Sequence, residues 1–182
     1  MGSQELIVLV DSLGRPTGTA EKLSAHHADT PLHLGFSCYV FDAWGRFLAT
    51  RRSGAKRVWP GVWTNSVCGH PAPGESFEAA IERRLHHELG MTADDVDVVV
   101  AAYVYRTPPF RGIVEHEFCP VFVARARSEP RPNPAEVAEH RWMGWEDFVR
   151  AAGADTGHEF SWWCKDQLRV IAGPLGAREI AA

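Results

Sequence analysis

The chain has 182 residues and carries 19 Lys and Arg against 23 Asp and Glu, a formal net charge of −4 at pH 7. This length fits one domain, which we place over residues 1–182, and a content of 45% hydrophobic and 23% charged residues excludes global disorder. The acidic total argues against a nucleic-acid binder that relies on a bulk positive field, and no segment has the ~20 consecutive apolar residues of a membrane span.

The first part of the chain predicts short strands separated by turns. The predicted elements are a strand at Leu6–Val10, turns at Asp11–Thr19, an ambiguous short helix at Glu21–His27, and a hairpin made of Leu34–Phe41, the turn Asp42–Gly45 and Phe47–Thr50. The segment Ser53–Gly74 then shows no clear periodicity. A long irregular segment inside a small domain is typical of a functional loop.

The second part contains the clearest predicted helix, Ser76–Leu89, in which apolar residues recur every fourth position and Gly90 is suited to the C-cap. The remaining predicted elements are strands at Val96–Tyr105, Glu117–Ala124 and Glu139–Trp142, a linker at Pro130–Pro134, and helices at Trp145–Ala151 and Phe160–Ile171. Strands and helices that mix around a dominant sheet predict a layered α+β domain.

Two charged residues of the predicted helix, Arg84 and Glu88, lie at the edge of its apolar face and inside it, respectively. A carboxylate on a buried face is costly unless it is paired or bound to a metal. Glu88 therefore has two interpretations here, an ion pair with Arg84 four residues earlier or a functional role.

Two further pairs carry candidate chemistry. Glu115 and Glu117 alternate onto one face of a strand, where two carboxylates repel unless a cation or a shared proton relieves them. Cys68 and His70 face the same way if extended, as in a metal site or beside a reactive thiol. The alternatives stay open: a solvated strand end for the glutamates, and a buried cysteine near an unrelated loop histidine.

Charge is distributed unevenly along the chain. From Ala43 to Gly74 there is no acidic residue, and the basic residues in this window are Arg46, Arg51, Arg52, Lys56 and Arg57. Such a tract indicates either a solvated basic face or a site for a multi-oxygen anion such as a phosphate. A Walker loop and a dinucleotide fingerprint are both missing from the sequence.

The segment Gly69–Met91 resembles a Nudix box, with matches at Gly69, Glu75, Arg83, Leu85, Glu88, Gly90 and Met91. Arg84 and His87 stand where Nudix hydrolases carry glutamates that help to hold divalent ions. The resemblance thus implies the Nudix fold, an α/β/α sandwich around a mixed β-sheet, but argues against ordinary Nudix hydrolysis.

Longer runs resemble one branch of that superfamily, the type I isopentenyl-diphosphate isomerases. The most specific run is Trp59–Pro71, and the others are Thr50–Arg52, Glu21–His26, Leu32–Leu34 and Gly112–Glu117. The resemblance extends from about Leu6 to Leu168. It implies an enzyme that converts isopentenyl diphosphate into dimethylallyl diphosphate in isoprenoid biosynthesis.

The resemblance also implies a role for each matching residue. Cys68 and Glu117 match the catalytic residues, and Tyr105 matches a tyrosine beside the glutamate. The ligands of one divalent metal (Mn²⁺, Zn²⁺ or Mg²⁺) match His26, His33, His70, Glu115 and Glu117. Glu88 matches a ligand of Mg²⁺ that arrives with the diphosphate, and Cys68 is a further metal-ligand candidate. The residues that match substrate contacts are Lys22, Arg52, Lys56, Arg84 and Trp163, the last with Trp162 as its neighbour.

The implied reaction needs such residues, because protonation of an unactivated alkene gives a tertiary carbocation. An acid and a base must act on the substrate, and water must be excluded. Two other hypotheses are a Nudix-type diphosphate hydrolase and a catalytically silent metal- and phosphate-binding module. Four scattered cysteines and no export signal favour the cytoplasm. We expect a monomer that acts on a small diphosphate, without nucleic-acid or membrane partners.

Overall fold

A computed structural model describes residues 5–177 of the protein. The predicted single domain over 1–182 stays a prediction, and its ends at 1–4 and 178–182 lie outside the described residues. The strands are β1 Leu6–Val10, β2 Pro16–Glu21, β3 His33–Leu34, β4 Phe36–Phe41, β5 Phe47–Arg52, β6 Trp63–Thr64, β7 Val67–Gly69, β8 Ala93–Val100, β9 Val104–Arg106, β10 His116–Phe118, β11 Val121–Ala126 and β12 Val137–Met143. The helices are α1 Lys22–Ala25, α2 Phe77–Leu89, α3 Trp145–Ala154 and α4 Trp162–Ala177.

The strands form two mixed sheets. The first has the order β2-β1-β3-β10-β9, and the second has the order β12-β5-β4-β11-β8, with β6 paired to β5 and β7 paired to β4. Each sheet contains one parallel pair, β3 with β10 in the first and β4 with β11 in the second. The chain therefore carries two neighbouring parallel strands from one sheet into the other.

The chain passes from the first sheet to the second at two adjacent points, between β3 and β4 and between β10 and β11. Gly35 separates β3 from β4, and its N–H donates to Phe118 O at 2.9 Å. Cys119 and Pro120 separate β10 from β11, and Pro120 O accepts from Ser37 N at 3.2 Å. Pro120 has no N–H to continue a ladder, so the break falls where the sequence cannot sustain pairing.

The second sheet is covered on both faces. Alternation along β4 sends Phe36, Cys38 and Val40 into one core cluster and Tyr39 and Phe41 into another. Helix α2 fills the first cluster with Ile81, Leu85 and Leu89, whereas α3 and α4 contribute Phe148 and Ile171 to the second. This layering confirms the predicted α+β class and the helix–sheet–helix sandwich.

The predicted helix at Ser76–Leu89 is confirmed as α2. The Ser76 side chain caps it by accepting from Ala79 N at 3.2 Å, and Gly90 ends it in the left-handed conformation at φ 56°. Glu88 is buried in this helix, as its position on the apolar face indicated.

Several predicted boundaries were wrong. The segment Asp11–Thr19 contains the start of β2, and the predicted strands Leu34–Phe41, Val96–Tyr105 and Glu117–Ala124 are each divided between the two sheets. Single-strand periodicity does not reveal a change of sheet, because the alternation continues through it. The irregular segment Ser53–Gly74 holds the short strands β6 and β7. Within residues 5–177 we find no helix long and apolar enough to cross a membrane.

Candidate active site

Three histidine rings meet beside the central strand of the first sheet. His26 follows α1, His33 lies on β3, and His70 follows β7. Their ring centroids are 4.9 to 5.5 Å apart, and the Nε2 atoms of His33 and His70 are 3.2 Å apart. The spacing in sequence gave no sign of this convergence, which requires the fold.

Backbone carbonyls orient two of these rings. His26 Nδ1 lies 2.6 Å from Lys22 O, and His33 Nδ1 lies 2.9 Å from Pro31 O. A carbonyl only accepts, so Nδ1 carries the proton in each ring and donates it. In the neutral rings each Nε2 is then left as a lone pair that points into the cluster, which is the arrangement of a metal-binding histidine.

Two buried carboxylates complete the cluster. Glu117 Oε1 lies 3.0 Å from His70 Nε2 and 3.7 Å from His33 Nε2. Glu115 Oε2 lies 3.3 Å from His26 Nε2 and has no hydrogen-bond partner. A buried carboxylate oxygen that has no partner and lies beside an imidazole nitrogen is in an environment suited to a cation. Two subsets, His26–His33–His70 and His33–Glu115–Glu117, have ligand atoms within 4.8 Å of one another.

The pKa values of two of these rings, His70 and His26, are shifted in opposite directions. Burial and the neighbouring His33 hold the pKa of His70 well below its usual range. Burial also disfavours the charged form of His26, but the negative charge of the neighbouring Glu115 carboxylate outweighs it and raises the pKa of His26. The carboxylates thus favour positive charge in the cluster, whereas burial disfavours the protonation of a second imidazole ring.

Gly35 makes room for the Glu117 carboxylate. A Cβ at position 35 would lie 2.6 Å from Glu117 Cδ and closer still to Oε2. On β10, Glu117 pairs in register with His33 on one side and with Tyr105 on the other. The sheet itself therefore sets a histidine and a tyrosine beside this carboxylate. Burial raises the pKa of Tyr105 well above its usual value, so its hydroxyl stays a donor.

Cys68 lies on β7 opposite Ser37 of β4. Its Sγ is 3.0 Å from Asn65 Oδ1 and 3.6 Å from Ser37 Oγ. Burial raises the pKa of Cys68 to about 11, so the group is a thiol at neutral pH. Of the four cysteines, all free, it is the one that is not fully buried.

Cationic side chains face this cluster across a cavity of about 390 Å³. Arg52 donates to the carbonyls of Val58 and Trp59, and its guanidinium lies 5.6 Å from the Trp163 ring. Lys22 Nζ contacts Glu5 Oε1 at 2.8 Å. Part of the basic tract is therefore held at the cavity, while Arg46 and Arg51 pair elsewhere with Asp42 and Glu139.

The ion pair between Arg84 and Glu88 does form. Arg84 Nε and Nη2 lie 2.9 and 2.6 Å from Glu88 Oε1, and Nη2 lies 3.3 Å from Glu136 Oε2. Glu88 also lines the cavity. The predicted ion pair of Glu88 with Arg84 is therefore present. Because the same carboxylate lines the cavity, a functional role of Glu88 stays a prediction.

The cavity brings the predicted site residues together. Those that line it are Lys22, His26, Arg52, Lys56, Cys68, His70, Arg84, Glu88, Tyr105, Glu115, Glu117 and Trp163. His33 is fully buried behind this surface. Trp163 lines the cavity, whereas Trp162 stacks on Tyr105 with ring centroids 6.0 Å apart.

Sequence reasoning missed Glu136 and Asn65. Glu136 contacts Lys56, Arg84 and His87, so it supplies the acid that the basic tract lacks. Glu136 follows the proline-rich linker Pro130–Pro134, and it forms no recognisable motif with other residues of the sequence. Asn65 is fully buried among the cavity residues, and it lay inside the Trp59–Pro71 run without a role of its own.

Residues 31–164 match the NUDIX domain family. Curated isopentenyl-diphosphate Delta-isomerases are similar over nearly the whole chain. That of Frankia alni is 51% identical over 94% of this chain and 89% of its own, and that of Kocuria rhizophila is 50% identical over 92% and 93%. The chain belongs to the isopentenyl-diphosphate Delta-isomerase family of the NUDIX superfamily.

Solved structures agree with the fold of this family. A Deinococcus radiodurans protein superimposes with a TM-score of 0.67 at 20% identity, covering 91% of this chain and 99% of that one. The MutT protein of Methanosarcina mazei Go1 gives 0.60 at 19% identity, covering 85% and 99%. The predicted Nudix fold is therefore confirmed.

A Gly35→Ala substitution tests how tightly the Glu117 carboxylate is placed. The new methyl group would displace the carboxylate, so we expect Zn²⁺ or Mn²⁺ affinity to fall by about tenfold or more, measured by isothermal titration calorimetry. Gly18→Ala is the matched control, since Gly18 on β2 has open space around its would-be Cβ. Equal affinities in the two variants, both folded by circular dichroism, would contradict this placement.

Proposed function

We propose that the protein interconverts isopentenyl diphosphate and dimethylallyl diphosphate. The observation that carries this is one cavity lined by a neutral thiol, Cys68, a buried carboxylate, Glu117, and a cationic wall. Family membership supports the same activity. Moving a double bond by one carbon requires a proton to be added at one carbon and removed at another, which a thiol and a carboxyl group can do together.

The residues that would hold a divalent metal are His26, His33, His70, Glu115 and Glu117. The donor set fits, because imidazole nitrogens and carboxylate oxygens converge and Glu115 Oε2 lacks a partner. Such an ion would neutralise the clustered carboxylates and tune the proton affinity of Glu117. The donors suit Zn²⁺, Mn²⁺ or Mg²⁺. Cys68 belongs to neither candidate metal cluster among residues 5–177, and we assign its thiol to proton transfer.

The diphosphate would bind to Lys22, Arg52, Lys56 and Arg84. Lys22 and Arg84 already hold carboxylate oxygens of Glu5, Glu88 and Glu136, which support their capacity to bind anionic oxygens. Guanidinium groups suit a ligand with several oxygens because they donate in a fork. We assign Glu88 to a Mg²⁺ ion that arrives with the diphosphate, since Mg²⁺ is bound through carboxylates and substrate phosphates.

Proton transfer is assigned to Cys68 and Glu117, with Tyr105 as a donor beside the glutamate. One group gives a proton to the substrate and the other accepts one, and the roles exchange in the reverse reaction. The intermediate carbocation needs protection from water, and the Trp163 ring can stabilise it by about 2 kcal/mol when desolvated. That is a factor of tens in rate, so the ring assists the acid and base and does not replace them.

Monomeric state, a cytoplasmic location and the absence of nucleic-acid and membrane partners remain predictions from the sequence. The small diphosphate is the one partner that the cavity itself supports, through its size and its cationic side chains.

Incubation with isopentenyl diphosphate and a divalent metal in D₂O tests the activity. We expect dimethylallyl diphosphate with deuterium incorporated, because the added proton comes from a group that exchanges with solvent. Carbon NMR follows the product. Phosphate release without isomerisation would instead indicate a diphosphate hydrolase, and no product with any of Mg²⁺, Mn²⁺ and Zn²⁺ would overturn the proposal.

Substitution of the two proposed proton-transfer groups tests their roles. We expect Cys68→Ala and Glu117→Gln each to lower kcat by about 10²-fold or more, since each removes an acid–base group. Cys38→Ala is the matched control, because Cys38 is a fully buried thiol that does not line the cavity. Near-normal turnover in either variant, with the fold intact by circular dichroism, would show that its role is misassigned.

The role of Glu88 is tested by the magnesium requirement. Glu88→Gln keeps the shape but loses the charge, so we expect a weaker effect of Mg²⁺ on diphosphate affinity, measured as KM against Mg²⁺ concentration. Glu136→Gln also loses a carboxylate beside Arg84 and serves as the control. If Glu88→Gln kept the wild-type requirement, the carboxylate would serve only the ion pair with Arg84.

A further inference from the structure

Asn65 has a side-chain orientation that its neighbours determine. Its Nδ2 lies 2.8 Å from Val67 O and 3.2 Å from Cys38 O, and both carbonyls can only accept. On the other side, Oδ1 faces the indole Nε1 of Trp163 at 3.3 Å, which can only donate. The amide oxygen therefore points at Cys68, and no exchange of oxygen and nitrogen satisfies these partners.

This oxygen also determines the direction of the Cys68 thiol. Sγ lies 3.0 Å from Asn65 Oδ1, so the S–H must be the donor in that contact. The hydrogen then points at Asn65, and the sulfur lone pairs are turned to its other sides. One of these sides faces Ser37 Oγ at 3.6 Å.

Ser37 is oriented in turn by the core behind it. Tyr39 Oη donates to Gln167 Oε1 at 2.9 Å, and Gln167 Nε2 donates to Ser37 Oγ at 2.9 Å. The Ser37 hydroxyl is therefore an acceptor from Gln167 and has its own hydrogen left for a sulfur atom. All of these side chains except Cys68 are fully buried or nearly so, so water does not compete with the chain of donors.

We infer that Asn65 is a positioning residue that fixes the direction of the Cys68 S–H and ties it to the Trp163 ring. This rests on the proposed function for its meaning in catalysis. One oxygen holds both the thiol that exchanges a proton with the substrate and the aromatic ring beside the developing cation. Their relative position then does not depend on the substrate, and misplacement of a reacting group by about 1 Å can cost about 10²-fold in rate.

The first test uses infrared spectroscopy of the full-length protein. The difference between wild type and Cys68→Ala isolates the S–H stretching band of Cys68. We expect that band below the frequency of a free thiol, because the S–H donates to Asn65. A band at the free-thiol frequency in the wild type would overturn the inference without any Asn65 variant. This result does not depend on whether the protein isomerises its substrate.

The second test removes the acceptor. In Asn65→Ala we expect the band to move toward the free-thiol frequency, and kcat to fall by about tenfold or more while KM changes by less than about threefold. Thr50→Val is the matched control, because Thr50 Oγ1 donates to the backbone carbonyl of Asn65 at 2.7 Å and supports the same segment without touching the thiol. That variant should keep both the band and kcat.

Two further outcomes would contradict the inference. Equal losses of kcat in Asn65→Ala and Thr50→Val, with an unmoved band, would mean that Asn65 only supports the fold. If Asn65→Ala does not fold, Ser37→Ala takes its place, and there the band should remain shifted because the S–H still reaches Asn65. A free-thiol band in Ser37→Ala would instead make Ser37 the partner that holds the thiol.

Discussion

The site depends on the absence of a side chain at position 35. Two parallel strands leave the first sheet for the second at one level, and the Glu117 carboxylate occupies the space that a side chain at Gly35 would fill. Any other residue there would push the carboxylate away from the histidines. The change of sheet also explains why His33 and Glu117 come from the first sheet while Ser37 comes from the second. This junction between the two sheets therefore brings the cluster of histidines and glutamates close to the Cys68 thiol.

Charge in the cavity is arranged in two opposed regions. At one end lie imidazole nitrogens and carboxylates that could hold a divalent metal, and Glu115 Oε2 has no partner there. At the other end, Lys56 and Arg84 share the carboxylate of Glu136. The net charge of −4 describes neither region. The proposed diphosphate substrate would suit such a cavity, because its anionic head could replace carboxylates beside Lys56 and Arg84 while its hydrocarbon part lay near Trp163 and Cys68.

The sequence allowed more of the site to be predicted than of the strand boundaries. The resemblance covered residues whose spacing has no local meaning, such as His26, His33 and His70, and the fold brings them together. Helix α2 could be predicted because its apolar residues recur every fourth position and Gly90 is suited to its C-cap. The divisions at Gly35 and Pro120 could not, because alternation of side chains runs through a change of sheet unaltered. Glu136 was missed for a similar reason, since only tertiary packing sets it against Lys56.

The two proposed proton-transfer groups, Glu117 and Cys68, are held in place by different kinds of neighbouring side chain. Glu117 is held beside ionisable side chains, the imidazoles of His70 and His33. Cys68 is held instead by the amide of Asn65 and the hydroxyl of Ser37, which do not titrate. The Cys68 thiol, whose pKa is raised by burial to about 11, stays protonated at neutral pH, and neither the amide nor the hydroxyl beside it can change its charge, so hydrogen bonding alone sets the direction of its S–H.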